Sequence, residues 1–172
     1  DPVQVPIRAI VLESSLAGME AALVGALGLG RRLAVVSDPT TDAVLGARVR
    51  RALAGSAQVQ AVALEEHPHP DGETVGRIRA ATLSADALIA VGSGTINDLC
   101  KYAAHLDGKP YAVFATAPSM NGYTSANAAI TVEGHKKSLA AAVPQGVFID
   151  LGVLAQAPAR MMAYRHPQSF AK

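Results

Sequence analysis

The sequence contains no tryptophan, and aromatic residues make up only 4% of its 172 positions. Proteins that bind single-stranded nucleic acid stack the bases on aromatic side chains, so this composition argues against such a surface. An excess of charge is lacking too, because 15 basic residues are matched by 14 acidic ones and the formal net charge is +1. Since no basic patch is present to attract phosphates or anionic lipids, we expect neither nucleic acid nor membrane as a partner.

Cysteine and long apolar runs are also scarce. Cys100 is the single cysteine, which excludes an internal disulfide framework and a zinc site built from several cysteines. We expect its thiol to be buried and inert. Charges or glycines interrupt every apolar stretch well before the roughly 20 residues that a membrane helix needs. Because residues 1–4 also lack the basic start of a signal peptide, we expect a cytoplasmic location.

Short apolar, β-branched runs alternate along the chain with Ala/Leu-rich segments of helical period. This alternation predicts an α/β fold, with a Rossmann-like parallel sheet and helices on both of its faces. The predicted strands are 7–12, 33–37, 59–64, 87–91, 111–115 and 147–150, and the predicted helices are 16–27, 41–53, 71–84 and 95–106. Thr40 and Thr41 are the expected caps of the second helix. A polar loop then leads to a predicted hairpin over 128–139, turned by Glu133, Gly134 and His135.

A glycine turn, Gly92-Ser93-Gly94-Thr95, follows the fourth predicted strand and opens a helix. The glycines allow the backbone to approach a ligand closely. Backbone N–H groups at the helix start, together with the Ser93 and Thr95 hydroxyls, would suit a diphosphate. However, the third glycine of the common dinucleotide fingerprint is missing, and that fingerprint usually follows the first strand. Taken alone, the glycines fit a purely structural strand-to-helix turn equally well.

Two further segments would lie at the same edge of the predicted sheet. Asp38 follows the second strand, where a carboxylate can accept both hydroxyls of an adenine ribose and would repel a ribose phosphate, which favours NAD over NADP. On its own, however, an aspartate before Pro39 is better interpreted as a turn or helix cap. The loop 116–125 follows the fifth strand, and its hydroxyl and amide groups could hold a nicotinamide or a polyol.

The five histidines show no spacing that is familiar from zinc sites. His67 and His69 lie in a proline-rich loop, and we expect both to be solvated. No set of metal ligands is predicted from these residues.

Together the segments resemble one protein family. The stretch 92–104 (GSGTINDLCKYAA), then 116–125 (TAPSMNGYTS), resembles the sn-glycerol-1-phosphate dehydrogenases, especially their bacterial branch. The stretch 150–160 (DLGVLAQAPAR) resembles the family's entry into its second domain. The wider superfamily contains glycerol dehydrogenase, 3-dehydroquinate synthase and the iron-dependent alcohol dehydrogenases, and the resemblance covers residues 6–163.

The resemblance implies the N-terminal, nucleotide-binding half of a dehydroquinate synthase-like fold over residues 1–163. It also implies NAD, or NADP, as the cofactor and a small polyol phosphate as the substrate, namely sn-glycerol 1-phosphate or dihydroxyacetone phosphate. In the family, a C-terminal helical domain supplies most of a site for a divalent metal such as zinc, nickel or iron.

By match to the motifs, the resemblance also implies roles for individual residues. The cofactor-binding candidates are Gly92, Ser93, Gly94 and Thr95 at the diphosphate, Asp98, Thr116 and Ser119 towards the nicotinamide, Asp38 at the adenine ribose, and Ser125 beside the substrate. The candidate catalytic residues are Asn121, which would face the substrate, and Lys136 or Lys137, which would anchor a substrate phosphate.

The sequence departs from the family at two places. Many members carry aspartate where this chain has Asn121, which can neither act as a base nor carry charge. Residues 164–172 do not match the stretch that provides the family's first metal ligand. We therefore expect the metal-binding half to be missing and activity of this chain alone to be impaired or lost. A homo-oligomer or a complementing C-terminal domain is the expected protein partner.

Three alternatives stay open, one of which is a solitary Rossmann-like domain that binds no ligand. A 3-dehydroquinate-synthase-like lyase would use the same scaffold and cofactor. A non-catalytic nucleotide-binding or assembly module would keep the glycine turn for folding or sensing.

Overall fold

A six-stranded, fully parallel sheet forms the centre of the computed structural model, which describes residues 6–118 and 122–157. The strand order is β1-β8-β5-β4-β2-β3, and β6 and β7 form a separate antiparallel hairpin. The strands are β1 (Ala9–Glu13), β2 (Arg32–Ser37), β3 (Gln58–Ala63), β4 (Ala87–Gly92), β5 (Tyr111–Ala115), β6 (Asn127–Val132), β7 (His135–Ala140) and β8 (Gly146–Asp150).

Helices cover both faces of the sheet, which confirms the predicted fold class. They are α1 (Glu20–Gly25), α2 (Pro39–Thr41), a π-helical turn (Asp42–Gly46), α3 (Ala47–Leu53), α4 (Gly72–Ala81), α5 (Gly94–Asp107) and α6 (Leu151–Leu154). One core contains Val24 of α1 and Val49 of α3. The other contains Ile78 of α4 and Leu99 of α5, together with the hairpin residue Ile130. No helix in the described part of the chain has the length and apolar character needed to cross a membrane.

The helix predicted from residue 41 begins two residues earlier, so Thr40 and Thr41 are not its caps. Asp38 is the cap, because its Oδ1 accepts the N–H of Thr41 at 2.7 Å while the Thr41 hydroxyl accepts the N–H of Asp38 at 3.1 Å. This reciprocal pair satisfies two backbone donors. Pro39 can stand at the first helical position because the N–H that it lacks would have no partner there.

The first predicted helix, 16–27, is wrong in its extent. Regular α-helix covers only Glu20–Gly25. Glycines with positive φ lie on both sides of it, Gly18 at +83° and Gly28 at +62°, and this left-handed conformation cannot continue a helix.

The hairpin prediction is confirmed, with a tighter turn than expected. Glu133 (φ 51°) and Gly134 (φ 76°) form the turn, and His135 already belongs to β7. Two consecutive residues with positive φ give the twist that joins antiparallel strands directly. Ala128 and Ile130 of β6 are buried in the core beside α5.

The middle of the chain contains a π-helical turn that the sequence pattern did not reveal. The N–H of Ala47 bonds to the carbonyl of Asp42, five residues back. The Asp42 carboxylate accepts a hydrogen bond from Ser37 at 3.1 Å and pairs with Arg50, which lowers its pKa. A Cβ on Gly46 would lie 2.7 Å from the Asp42 carboxylate. Glycine therefore leaves the room that this cluster occupies.

Two buried carboxylates and a partly exposed arginine connect three helices at the carboxyl end of the sheet. Arg48 of α3 bridges Glu20 of α1 at 2.6 Å and Asp150 at the start of α6 at 2.8 Å. Asp150 also accepts the N–H groups of Leu16 at 2.8 Å and Val153 at 3.0 Å. Burial on its own would raise the pKa of Asp150, but these bonds and the Arg48 charge outweigh it and lower the pKa.

Replacing Asp150 with asparagine is expected to lower the free energy of unfolding at pH 7 by about 1–3 kcal/mol, because a charged acceptor of three bonds is lost. The folded-state pKa lies below the ordinary value of 3.8. The stabilisation is therefore present above that value and disappears as the pH falls through the folded-state pKa. Urea titrations from pH 7 to pH 2 should show the difference from wild type closing only below about pH 4. A difference that is constant over the whole range would contradict the argument, and Glu13→Gln on the exposed end of β1 is the control.

Candidate functional site

The order in which the chain adds strands to the sheet reverses between β2 and β4. These two strands are neighbours, but the chain continues from β2 outward to β3 and from β4 the other way to β5. At such a switch point the carboxyl ends of the strands open a crevice, where α/β proteins bind their ligands.

A cleft of about 420 Å³ opens at this switch point, a volume within the range of small-molecule sites. Its described lining residues are Asp38, Thr40, Thr41, Val44, Glu66, His67, Pro68, Ser93, Thr95, Ile96, Thr116, Ala117, Val153, Gln156 and Ala157.

The glycine turn places the start of α5 in this cleft. Ser93 is the N-cap residue of a 14-residue helix, and its side chain makes no capping bond. Ser93 and Thr95 both line the cleft. A helix start carries partial positive charge and N–H groups without helical partners, so an anion placed here would be stabilised.

The first glycine of the turn, Gly92, lies in close contact with α5. Gly92 ends β4 and is buried, and a Cβ on it would lie 2.5 Å from Ile96 Cδ1 and 2.7 Å from Ile96 Cβ. Gly94 is the first residue of α5. Gly92 is therefore required for the close approach of helix and strand, which places Ile96 and Thr95 at the cleft.

Asp38 and Thr116 lie at the ends of two other strands and complete the rim. Asp38 is half-buried, caps α2 and lines the cleft, so the helix-cap interpretation is correct and the carboxylate still borders the crevice. Thr116 follows β5, and its N–H bonds to the carbonyl of Gly92 at 3.1 Å. The structure thus brings together four of the predicted residues, Asp38, Ser93, Thr95 and Thr116.

Asp98 points away from this cleft, towards the hairpin. It is 6% exposed, and its Oδ2 accepts the N–H of Ala129 at 3.2 Å. Its Oδ1 has no hydrogen-bond partner within the described residues. Burial raises the pKa of Asp98, while the Ala129 bond and the charges of Lys101 and Lys136 act in the opposite direction.

Lys101, one turn further along α5, is fully buried and was missed by the sequence analysis. Its Nζ donates to the carbonyls of Gly122 at 2.7 Å, Ser125 at 2.9 Å and Asn127 at 3.3 Å, and to the Ser125 hydroxyl at 3.1 Å. Burial lowers the pKa of Lys101. The Ser125 hydroxyl is therefore engaged within its own loop, away from the residues that line the cleft.

The remaining predicted residues divide into two groups. Lys136 and Lys137 lie exposed on β7, opposite Thr131 and Ile130, so their side chains leave opposite faces of the hairpin. The positive charge of Lys136 acts on the Asp98 carboxyl group and opposes the rise of its pKa. Ser119 and Asn121 lie outside the described residues.

The loop between β3 and α4 forms one wall of the cleft, while His67 and His69 are both exposed, as the sequence analysis expected. Glu66, His67 and Pro68 line the cleft, although the first two are exposed. His67 has a φ of +53°, a region that non-glycine residues seldom occupy. A signal was available, since the loop follows a strand at the same sheet edge as Asp38.

Cys100 is buried, as predicted, and burial raises the pKa of its thiol well above the ordinary range. Across residues 6–118 and 122–157, no group of three or more histidine, cysteine, aspartate or glutamate side chains could hold a metal ion. The described residues therefore do not fit a metal centre.

The iron-containing alcohol dehydrogenase family model matches residues 11–158. The chain belongs to this family. Two curated relatives are similar to it, each named glycerol-1-phosphate dehydrogenase [NAD(P)+]. The Bacillus licheniformis protein is 35% identical over 138 residues, which are 77% of this chain and 34% of the relative. The Methanothrix thermoacetophila protein is 34% identical over 140 residues, which are 80% of this chain and 39% of the relative. The chain thus spans little more than a third of these relatives.

Solved structures with low sequence identity share the fold of this chain. Glycerol dehydrogenase from Schizosaccharomyces pombe superposes with a TM-score of 0.78 at 19% identity, covering 91% of this chain and 40% of that protein. A 2-deoxy-scyllo-inosose synthase, complexed with carbaglucose-6-phosphate, NAD+ and Co2+, gives a TM-score of 0.70 at 17% identity, covering 89% and 44%. The family's dehydroquinate synthase-like, Rossmann-type domain is therefore the fold of this chain.

Proposed function

We propose that this chain is the nucleotide-binding part of an NAD(P)-dependent dehydrogenase that acts on a small polyol phosphate. The observation that carries the proposal is the meeting of Ser93 and Thr95 with Asp38 in one cleft at the switch point. The substrate class rests on the names of the relatives, glycerol-1-phosphate dehydrogenases.

Each wall of the cleft would hold a different part of the dinucleotide. The start of α5, with Ser93, Gly94 and Thr95, would stabilise the diphosphate. Asp38 would accept the hydroxyls of the adenine ribose. Thr116, at the end of β5, would contact the nicotinamide side. When bound, the cofactor supplies the hydride, while these residues fix its position.

The hairpin side would serve the substrate. Lys136 or Lys137 would anchor its phosphate, and Asn121 would bond to a hydroxyl or carbonyl oxygen. The charge of Lys136 acts on Asp98, and the Ser125 hydroxyl bonds to Lys101 rather than lining the cleft. We place the nucleotide-binding domain at residues 1–163 and assign metal binding to the part of the relatives' length that this chain does not match.

Calorimetric titration with NAD tests the proposal. Replacing Thr95 with valine removes one hydroxyl at nearly constant shape. It is expected to weaken NAD binding about 10- to 100-fold, since a hydrogen bond to a charged group contributes about 1.5–3 kcal/mol. The matched control is Thr82→Val at the C-terminal end of α4, which is not among the described lining residues of the cleft. Absence of NAD binding by the wild type, or equal affinities for both variants, would contradict the assignment.

Measuring which substrate is turned over distinguishes a dehydrogenase from a lyase and from a non-catalytic module. Reduction of dihydroxyacetone phosphate by NADH, in a protein that extends to the relatives' full length, is the expected result. Turnover of a 3-dehydroquinate synthase substrate instead would indicate the lyase, and NAD binding without any turnover would indicate a non-catalytic module.

A further inference from the structure

Thr116 and Ala117 line the cleft directly after β5 (the β5 wall). Two backbone groups fix this wall. The N–H of Thr116 donates to the carbonyl of Gly92 at 3.1 Å, and the carbonyl of Ala117 accepts the hydroxyl of Tyr123 at 2.8 Å. The first bond joins the wall to the end of β4, and the second joins it to the later part of the loop that follows β5.

Tyr123 is itself held in place. It is 8% exposed and belongs to the same core as Leu99 of α5 and Ala128 of β6. The carbonyl of its neighbour Gly122 accepts the Lys101 ammonium group at 2.7 Å. Lys101 of α5 therefore fixes the backbone beside the tyrosine that bonds to the β5 wall.

The hydroxyl of Tyr123 has a different role from its ring. A phenylalanine ring would fill the core as well, whereas a buried phenol needs a hydrogen-bond partner. The partner in the described chain is the backbone of a residue that lines the cleft. Tyr111, a second buried tyrosine of this core, bonds instead to the Asn97 side chain at 3.1 Å. Neither Tyr111 nor Asn97 is among the described lining residues of the cleft.

We propose that Tyr123 is a positioning residue of the nucleotide site, whose hydroxyl holds the Ala117 carbonyl, and with it Thr116, in place for the nicotinamide half of the dinucleotide. The inference rests on the proposed function, in which Thr116 contacts the nicotinamide side. Tyr123 is not among the described lining residues, so it acts through the backbone of the β5 wall.

The test compares the dissociation constants of NAD and ADP, measured by calorimetry, for the wild type, Tyr123→Phe and Tyr111→Phe. Each variant removes one buried hydroxyl at nearly constant volume. Tyr123→Phe is expected to weaken NAD binding about 2- to 10-fold, the equivalent of one neutral hydrogen bond. ADP has the diphosphate and the adenine ribose but no nicotinamide half, so its affinity should not change. Tyr111→Phe should leave both affinities unchanged, whereas a purely structural role would affect the two variants alike.

Amide hydrogen exchange gives a second measurement that needs no nucleotide. The N–H of Thr116 should exchange faster in Tyr123→Phe than in Tyr111→Phe, because only the first variant loosens the β5 wall. Equal exchange in the two variants would show that the Tyr123 hydroxyl does not hold the wall.

The outcomes separate the two claims. If neither NAD nor ADP binds the wild type, the proposed function fails, and hydrogen exchange still decides whether Tyr123 anchors the wall. If both nucleotides bind and the ratio of NAD affinity to ADP affinity is the same in both variants, the positioning role is overturned. Should Tyr123→Phe fail to fold by circular dichroism, Ser125→Ala replaces it. The Ser125 hydroxyl donates to the carbonyl of Gly122 at 3.0 Å, so its loss loosens the loop beside Tyr123.

Discussion

Replacing Gly92 with alanine is expected to destabilise the protein and weaken nucleotide binding at the same time. The added Cβ would lie 2.5 Å from Ile96 Cδ1 and 2.7 Å from Ile96 Cβ, and the second distance cannot be relieved by a rotamer change, so the first turn of α5 would have to move. Overpacking of this kind costs about 1–3 kcal/mol of folding stability. Because Thr95 and Ile96 line the cleft from that turn, we expect NAD affinity to fall about 100-fold, as for an ångström-scale misplacement of a binding group.

A matched control exists on the neighbouring helix. Gly76 lies within α4, and a Cβ there would meet nothing within 4 Å. Gly76→Ala should raise the free energy of unfolding by about 0.4–1 kcal/mol, because alanine lowers the conformational entropy of the unfolded chain. The cleft should be unchanged. Urea unfolding and NAD titration of both variants make the comparison. If Gly92→Ala folds and binds like Gly76→Ala, the close packing of β4 and α5 does not define the site.

Lys101→Met is expected to be among the most destabilising single substitutions on α5. The side chain is fully buried, and its ammonium group bonds to three backbone carbonyls and one hydroxyl. Methionine keeps much of the volume but leaves these acceptors, and the buried Asp98 carboxylate, without the cation. Removal of one partner from a buried charge cluster costs about 3–5 kcal/mol. Urea denaturation at pH 7 measures this loss.

Lys137→Met is the control for this substitution, since Lys137 is exposed on β7 and a surface change there should stay within about 0.5 kcal/mol. The double variant Asp98→Asn/Lys101→Met should recover part of the loss, because the remaining buried charge is gone. A Lys101→Met protein as stable as wild type would mean that the loop over 122–127 does not depend on the buried cation.

The sheet was predictable because its strands are short β-branched runs, and their order along the chain with intervening helices allows few arrangements. Leu33 to Ser37 and Ala87 to Val91 lie in strands whose residues are almost all buried. Parallel strands covered on both faces need continuous apolar sequence, which is visible without any partner information. The glycine turn was also predictable, because it stands between a buried strand and a helix.

The positions of two polar side chains, His67 and Lys101, depend on contacts that are distant in sequence. The strand pattern places the loop that contains His67 at the same sheet edge as Asp38, but the direction of the loop depends on its anchors, here the bond between Pro70 and Thr131, which are 61 residues apart in sequence. Lys101 was overlooked because a lysine in a helix is usually solvated. Its four acceptors come from a loop 21 to 26 residues further along the chain, and only the folded chain brings them together.

The π-helical turn at Asp42–Gly46 also fixes the number of residues between β2 and α3. Each added residue rotates the following helix by about 100°, so the orientation of α3 depends on the extra residue that this turn contains. Deleting one residue here would turn Val49 out of the core and swing Arg48 away from Glu20 and Asp150. Sequences that share this fold should therefore vary in side chains along this stretch far more readily than in residue number.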